Sequence, residues 1–300
     1  LSVIIISEEF PDAKRGTGIS IMHTATLLGV MTAGAVYGPI AGSAWGWRGM
    51  YLVGVAPALL IALLRRWMHE TARFTALGAE RKSRGEHLPS WLAQLRSNLA
   101  PLHGTLRGRV FLIAILWNSI GVVGGPTITF FSLYAERDHG WTAPQVGTAV
   151  VVGYVMGSVG CALSGLLMDR IGRKVTTTLF YLTAATSMYV LFESDSYSMI
   201  LGGFMATMFA YQGARTATSA LSAELFPTEI RAMGFSFTVQ VLGQIGWLLT
   251  PVLVGSLAGP MAGLGAAARL FAVGPVLGTV LLLALVPETH GKTLEEIAHH

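Results

Sequence analysis

The amino-acid sequence predicts an all-α protein that crosses a membrane many times, and three observations carry that prediction. Only 12% of the 300 residues are charged while 52% are hydrophobic, and the mean hydropathy is +0.58; a soluble domain carries about 25% charged residues. The apolar residues gather in runs of roughly 18–25, the length a helix needs to cross a hydrocarbon core about 30 Å thick. Finally, one charged segment is written twice. Glu8-Glu9-Phe10-Pro11-Asp12-Ala13-Lys14-Arg15 returns as Glu224-Leu225-Phe226-Pro227-Thr228-Glu229-Ile230-Arg231, followed at matching offsets by Gly18 and Gly234 and by Ser20 and Ser236. Repetition over so long a period in a membrane chain is the mark of a duplicated half-bundle.

Along the chain, residues 1–7 read as the last two turns of a helix, and eight complete spans follow: 17–41, 49–67, 110–134, 146–168, 175–192, 197–222, 234–257 and 266–286. Their length and internal glycines exclude strands. Gly34, Gly38 and Gly42 line one face of the first complete span, and Gly153 and Gly157 one face of the fourth, as close helix packing in lipid requires. Between 68 and 109 lies the one long hydrophilic stretch. Its second part spaces Trp91, Leu92, Leu95, Leu99 and Leu102 at helical intervals, the pattern of an amphipathic helix on the membrane face or of a linker helix. Other loops are short, so neighbouring spans run antiparallel. The expected organisation is 1–67, a connector at 68–109, a bundle at 110–290 and a tail at 291–300.

The net charge of +4 and a pI near 9.4 are topology rather than a nucleic-acid footprint. Counting helices puts sixteen Lys and Arg in loops on one side and only Arg48, Arg137 and Arg269 on the other. The rich side, with the connector and the C-terminus, is then cytoplasmic, as in a plasma (inner) membrane protein. Cys161, the single cysteine, sits inside an apolar span, so one chain forms no disulfide and no cysteine metal site. No cofactor, metal cluster, phosphate loop or nucleophile–base pairing is expected, and hence no enzyme.

Gly165-Leu166-Leu167-Met168-Asp169-Arg170-Ile171-Gly172-Arg173-Lys174 matches every fixed position of the Gly-x-x-x-Asp-Arg-x-Gly-Arg-Lys loop. With the two Glu-x-x-Pro-x-x-x-Arg segments, the closing Pro287-Glu288-Thr289-His290-Gly291 and the weaker Met68-His69-Glu70-Thr71-Ala72-Arg73, the chain resembles the major facilitator superfamily, in its sugar-porter-like or metabolite:proton symporter-like branch. The resemblance implies a partial major facilitator fold: eight complete transmembrane helices, helices five to twelve, plus the end of helix four. About 105–110 residues carrying helices one to three and most of four would precede Leu1, and the fragment alone would not transport. It further implies a charge latch on the cytoplasmic rim, formed by Asp169, Arg170, Arg173, Glu224, Arg231 and Glu288, with Glu8, Arg15 and Glu70 as the equivalent set in the first half. The plainer reading makes these residues topology signals and solvated helix ends.

Helix five, with Ala25 and Gly38-Pro39-Ile40-Ala41-Gly42, resembles the helix-five motif of drug/proton antiporters. The sugar porters' helix-seven Gln/Asn pair is missing, with Trp117, Asn118, Ser119 and Gly121 there instead, and Tyr211-Gln212-Gly213-Ala214-Arg215-Thr216 stands in helix ten in place of Gly-Pro-x-x-Trp. Arg215 is the only charged residue well inside any complete span, nine residues from Glu224 and so about 13–14 Å deep. A cation there costs at least about 2.5 kcal/mol unless it faces a polar cavity and finds a partner. A substrate anion serves, or an acid on missing helices. The substrate-binding candidates are Arg215, Tyr211, Gln212, Asn118, Tyr154, Gln240 and Gln244, the last two one turn apart on one helix face, with His23 as a further cavity candidate. For each neutral one, packing is the competing explanation. The sequence therefore predicts a secondary active transporter of a small organic anion moved with protons by alternating access, monomeric when complete and surrounded by bilayer. A drug/proton antiporter, a sugar-type porter and a non-transporting membrane sensor are the alternatives.

Overall fold

A computed structural model describes residues 6, 10, 14–41, 46–66, 106–226, 231–261 and 263–286. The connector with its expected amphipathic helix, the repeat residue Glu8, the Glu70 motif, Pro227–Ile230 and the closing Pro287–Thr293 motif lie outside them. Among the described residues the backbone is overwhelmingly helical and no strand occurs. Each of the eight expected spans is represented by helix: α1 (Arg15–Ala41), α2 (Gly46–Leu64), α3 (Arg107–Leu133), α4 (Ala143–Ile171), α5 (Arg173–Glu193), α6 (Tyr197–Glu224), then α7 (Arg231–Gln240) with α8 (Ile245–Ala258), and α9 (Leu264–Arg269) with α10 (Val273–Leu285). Among the described residues five stretches are long and apolar enough to cross a membrane: Arg107–Asp138, Pro144–Ile171, Arg173–Glu193, Met233–Ala258 and Leu264–Leu285.

The chain divides into two compact units, Thr26–Pro89 and Leu1–Ala25 with Ser90–His300. In the first, α2 carries Pro57 in its interior and exposes Tyr51, Leu52, Leu59, Leu60 and Ile61. A helix apolar all round is stable only in lipid or inside a larger bundle.

The second unit is built around α6, which packs along its length against α4 and α5. Every residue of α6 from Thr207 onward is buried except Phe209 and Arg215. Burial on all sides explains a sequence that would otherwise look too polar for a core: Thr207, Thr216, Thr218 and Ser222 each donate to the carbonyl one turn back, at 2.6–2.9 Å. The hydroxyls are satisfied without a partner helix. The glycine face of α4 packs on α6. Gly153 lies against the Phe204 ring, and a Cβ at Gly157 would stand 3.0 Å from the Gln212 side chain. At the start of α4, Thr142 and Gln145 form a capping box that satisfies the first free N–H groups.

Between α4 and α5 the chain reverses through Gly172, at φ 92° and ψ 164°. An L side chain rarely adopts this conformation, so the glycine of the Asp-Arg-x-Gly-Arg-Lys loop is a backbone requirement. Its carbonyl accepts the Thr176 hydroxyl at 2.7 Å.

One expectation is corrected. The span 234–257 is not a continuous helix: α7 ends at Gln240, Leu242–Gln244 form a 3₁₀ turn and α8 begins at Ile245. Gln240 and Gln244 therefore flank a break instead of sharing one face; Gln240 is exposed, and Gln244 Nε2 donates back to the Val239 carbonyl at 3.0 Å. The cause lies in two glycines and one amide. Gly243 lets the Trp117 side chain of α3 approach, and Gly246 packs on the Asn118 backbone. Asn118 Nδ2 donates to the Leu242 carbonyl at 2.8 Å, and its Oδ1 accepts the Gly246 N–H. The amide thus takes the place of helical hydrogen bonds lost at the break.

Candidate functional site

Two places in the second unit combine charge with burial. The first is the rim where α4 meets α5. Asp169 ends up at the C-terminal end of α4, an unfavourable position for a carboxylate. It is compensated by the N-terminus of α1: the Gly16 N–H donates to Oδ1 at 3.1 Å, and the Thr17 N–H and hydroxyl donate to Oδ2 at 2.9 and 2.6 Å. The negative end of one helix and the positive end of another share a single carboxylate. A Cβ at Gly16 would come within 2.7 Å of it, so only glycine permits this approach.

Arg173, the first residue of α5, and Glu224, the last of α6, are 2% and 1% exposed and paired at 3.2 Å. The Arg173 guanidinium also donates to the Met168 carbonyl at 3.0 Å and lies 3.7 Å from Asp169. Arg109 donates to the Leu225 carbonyl, Arg231 to that of Phe226, and Lys174 to Leu283 in the last turn of α10. Arg109 and Lys174 thus meet carbonyls at helix C-terminal ends, where cations are favoured, and Arg231 meets one just beyond the end of α6. Of the expected latch residues, the structure joins Asp169, Arg173 and Glu224. Arg231 is fully buried, Arg170 is exposed, Arg15 opens α1, and Glu8 and Glu288 are outside the described residues.

The second place surrounds Arg215, half-buried on α6. Among the described residues no carboxylate pairs with it. Its guanidinium carbon lies 5.9 Å from the centre of the Trp117 ring and 5.7 Å from that of Tyr211, so two aromatic faces supply the local attraction. Both rings are held in place. Trp117 Nε1 donates to Ser222 Oγ at 3.0 Å, and the Tyr211 ring lies over Gly124 of α3, where any side chain would displace it. Half-buried Tyr154 on α4 and buried Gln212 on α6 complete the surroundings. On α1, His23 Nε2 is 3.2 Å from Ser219 Oγ, one turn beyond Arg215.

Of the sequence-derived binding candidates, Arg215, Tyr211, Gln212 and Tyr154 share this region. Asn118 spends its amide on Ala114, Leu242 and Gly246, and Gln240 and Gln244 lie at the break. Sequence reasoning missed Trp117 as the floor under Arg215, the His23–Ser219 contact and the α1 N-terminus as the partner of Asp169. The last had a visible signal, since Gly16-Thr17 opens a span directly after a charged loop.

The profile described as Major Facilitator Superfamily matches residues 1–192 and 127–299. Over 98% of the chain and 71% of its own length, a "putative metabolite transport protein" of Haemophilus influenzae is 29% identical. The 3-(3-hydroxy-phenyl)propionate transporter of Escherichia coli is 28% identical over 85% of the chain and 59% of its own length. Among solved structures, the proton:xylose symporter XylE bound to 6-bromo-6-deoxy-D-glucose superposes with a TM-score of 0.77 at 22% identity, over 98% of this chain and 69% of that one. A family match across the whole chain, four loop motifs in order and helices built to cross a bilayer lead to one conclusion: the chain belongs to the major facilitator superfamily of integral-membrane transporters.

Proposed function

We propose that this chain is part of a secondary transporter that moves a small organic anion together with protons by alternating access, with Arg215 as the anchor for the anionic group. The observation that carries the reading is a half-buried guanidinium deep in a helix, paired with no carboxylate among the described residues and set between the Trp117 and Tyr211 rings. Arg stays charged and offers a planar fork to a carboxylate. Two fixed rings beside it suit an anion carried on a flat, apolar body. The similarity to a transporter of 3-(3-hydroxy-phenyl)propionate, an aromatic carboxylate by name, supports the choice of cargo, and the likeness to a proton:xylose symporter supports proton coupling. Tyr211, Gln212 and Tyr154 contribute to the same site.

In the same reading the chain comprises 1–67 as the rest of one half-bundle, 68–109 as connector, 110–290 as the other half-bundle and 291–300 as tail. The connector and C-terminus face the cytoplasm from a plasma membrane. The Asp169 contact with the α1 N-terminus closes the cytoplasmic rim when the cavity opens outward.

The test is uptake of 3-(3-hydroxyphenyl)propionate, with xylose as comparison, by cells expressing the intact transporter. Arg215→Lys keeps the charge but loses the fork and should weaken uptake. Arg215→Gln should lower apparent affinity by 30-fold or more, since truncating one partner of a buried charge pair costs about 2–5 kcal/mol. Unchanged apparent affinity in Arg215→Gln refutes the assignment.

A further inference from the structure

We infer that His23 is the proton site of this transporter and that it takes up its proton together with the anion on Arg215. The inference rests on the Arg215 assignment above, but its own support is the placement of α1 against α4 and α6. Two independent contacts fix that placement. Asp169 grips α1 at Gly16 and Thr17, and two turns further along His23 meets Ser219 at 3.2 Å. His23 lies eight residues beyond the start of α1, about 12 Å along the helix, and Arg215 lies about 13–14 Å before the end of α6. Both depths are counted from ends that meet the same rim. Arg215 and Ser219 are four residues apart and so share one face of α6. The imidazole and the guanidinium are therefore neighbours at one level, within electrostatic reach of each other.

Among the described residues, the groups around His23 leave it one charged neighbour near its own level. From α6 it faces Ser219 and Arg215; Tyr211 on α6 and Tyr154 and Cys161 on α4 gather around Arg215. Asp169 on α4 stands at the rim, bonded to Thr17 six residues away along α1. No carboxylate reaches the ring among the described residues. The chemistry follows from charge alone. With the site empty, a proton on His23 would place two cations side by side in a medium of low dielectric, which is unfavourable. A carboxylate bound to Arg215 cancels that repulsion, so each of the two favours the other, and reciprocally. The proton comes from water and adds to the ring nitrogen that carries none; on release it returns to water. Ser219 is a suitable partner for both states. Its hydroxyl donates to a bare Nε2 and accepts from a protonated one, so the contact survives the change.

The consequence is charge-neutral symport of a monoanion. The empty site carries +1 on Arg215; the loaded site carries Arg215, the anion and the imidazolium, again +1. Because both forms carry the same charge through reorientation, a complete cycle moves no net charge.

The experiment is isothermal titration calorimetry of the intact purified protein with 3-(3-hydroxyphenyl)propionate, and with benzoate, in buffers of different ionisation enthalpy, which gives the protons taken up per anion. The wild type should take up between about a half and one proton at pH 6.5, and its affinity should weaken by up to tenfold per pH unit between pH 6.5 and 8.5. His23→Gln should bind with no proton uptake and a flat pH dependence, and His23→Asn serves if the first variant does not fold. Binding by the wild type without proton uptake overturns the inference whatever the variants do. So does full uptake by His23→Gln while Arg215→Gln fails to bind, an outcome that leaves the anion anchor standing. Unchanged binding by Arg215→Gln, or no binding of either probe by the wild type, overturns the anchor and this inference together.

Discussion

Removing the carboxylate of Glu224 gives the sharpest test of how the second unit is held together. Glu224 and Arg173 are 1% and 2% exposed, and their pairing at 3.2 Å ties the end of α6 to the start of α5. Breaking a buried pair by deleting one partner costs about 3–5 kcal/mol, because the surviving charge is left in a poor environment. Arg173 keeps the Met168 carbonyl at 3.0 Å and Asp169 at 3.7 Å, so the lower end of that range, about 3 kcal/mol, applies to Glu224→Ala. At about 2–4 °C per kcal/mol the expected fall in Tm is about 6–12 °C. The chain supplies its own probe. Cys161 is the single cysteine and 1% exposed, so a thiol-reactive fluorophore in detergent reports the opening of the α4–α6 interface directly. Glu224→Gln retains an acceptor for Arg173 and should lose less. The double variant Arg173→Met/Glu224→Leu should recover most of the stability, since a well-packed apolar pair often replaces a buried ion pair without loss. If Glu224→Ala unfolds within about 2 °C of the wild type, the pair contributes nothing and the reasoning is wrong.

Two further outcomes follow from the polar contacts. Asp169→Asn leaves one of the α1 donors without its acceptor, a loss of about 1–3 kcal/mol, and removes the charge that complements the α1 N-terminus. In the proposed orientation, cysteines introduced at the rim of the intact transporter should become more accessible from the cytoplasm and turnover should slow; identical labelling of variant and parent would reduce Asp169 to a topology signal. Asn118→Ala frees the Leu242 carbonyl and the Gly246 N–H at the α7–α8 break, about 1–3 kcal/mol for each group left unsatisfied. Tm should fall while anion affinity in the folded fraction holds; lost affinity at unchanged Tm would instead make Asn118 a substrate contact.

The helices were legible because crossing a bilayer leaves one solution, a long apolar run whose backbone satisfies itself. The rim was legible in composition but not in pairing. The motif named Asp169, Arg173 and Glu224 as a group, yet nothing in a one-dimensional pattern says that Arg173 turns to Glu224 while Asp169 turns to α1. The helix break was hidden for a different reason. Gln240 and Gln244 satisfy helical spacing, and Gly243 and Gly246 are unremarkable in a membrane helix. Only the approach of α3, with Trp117 against one glycine and Asn118 bonded across the gap, makes the interruption stable. Propensity proposes a helix, and a neighbour's amide decides otherwise.

Arg215 shows how far the argument from depth alone reaches. An arginine that deep in a span must meet something polar, so its importance could be read from position. Its neighbours could not. Trp117 lies 98 residues away in sequence and looked like one more aromatic residue in a span, yet it sits beneath the guanidinium because Ser222 holds its indole N–H and Gly243 admits its side chain. His23 comes from the other direction, carried to the level of Arg215 by the grip of Asp169 on α1. The rim and the half-buried Arg215 are thus linked through α1. In the proposed transport cycle, opening of the Asp169 contact loosens the hold on α1 and with it the His23–Ser219 contact. Release at the rim would then withdraw the proposed proton site from the proposed anion site, which is what a carrier must do to let both cargoes go on the same side.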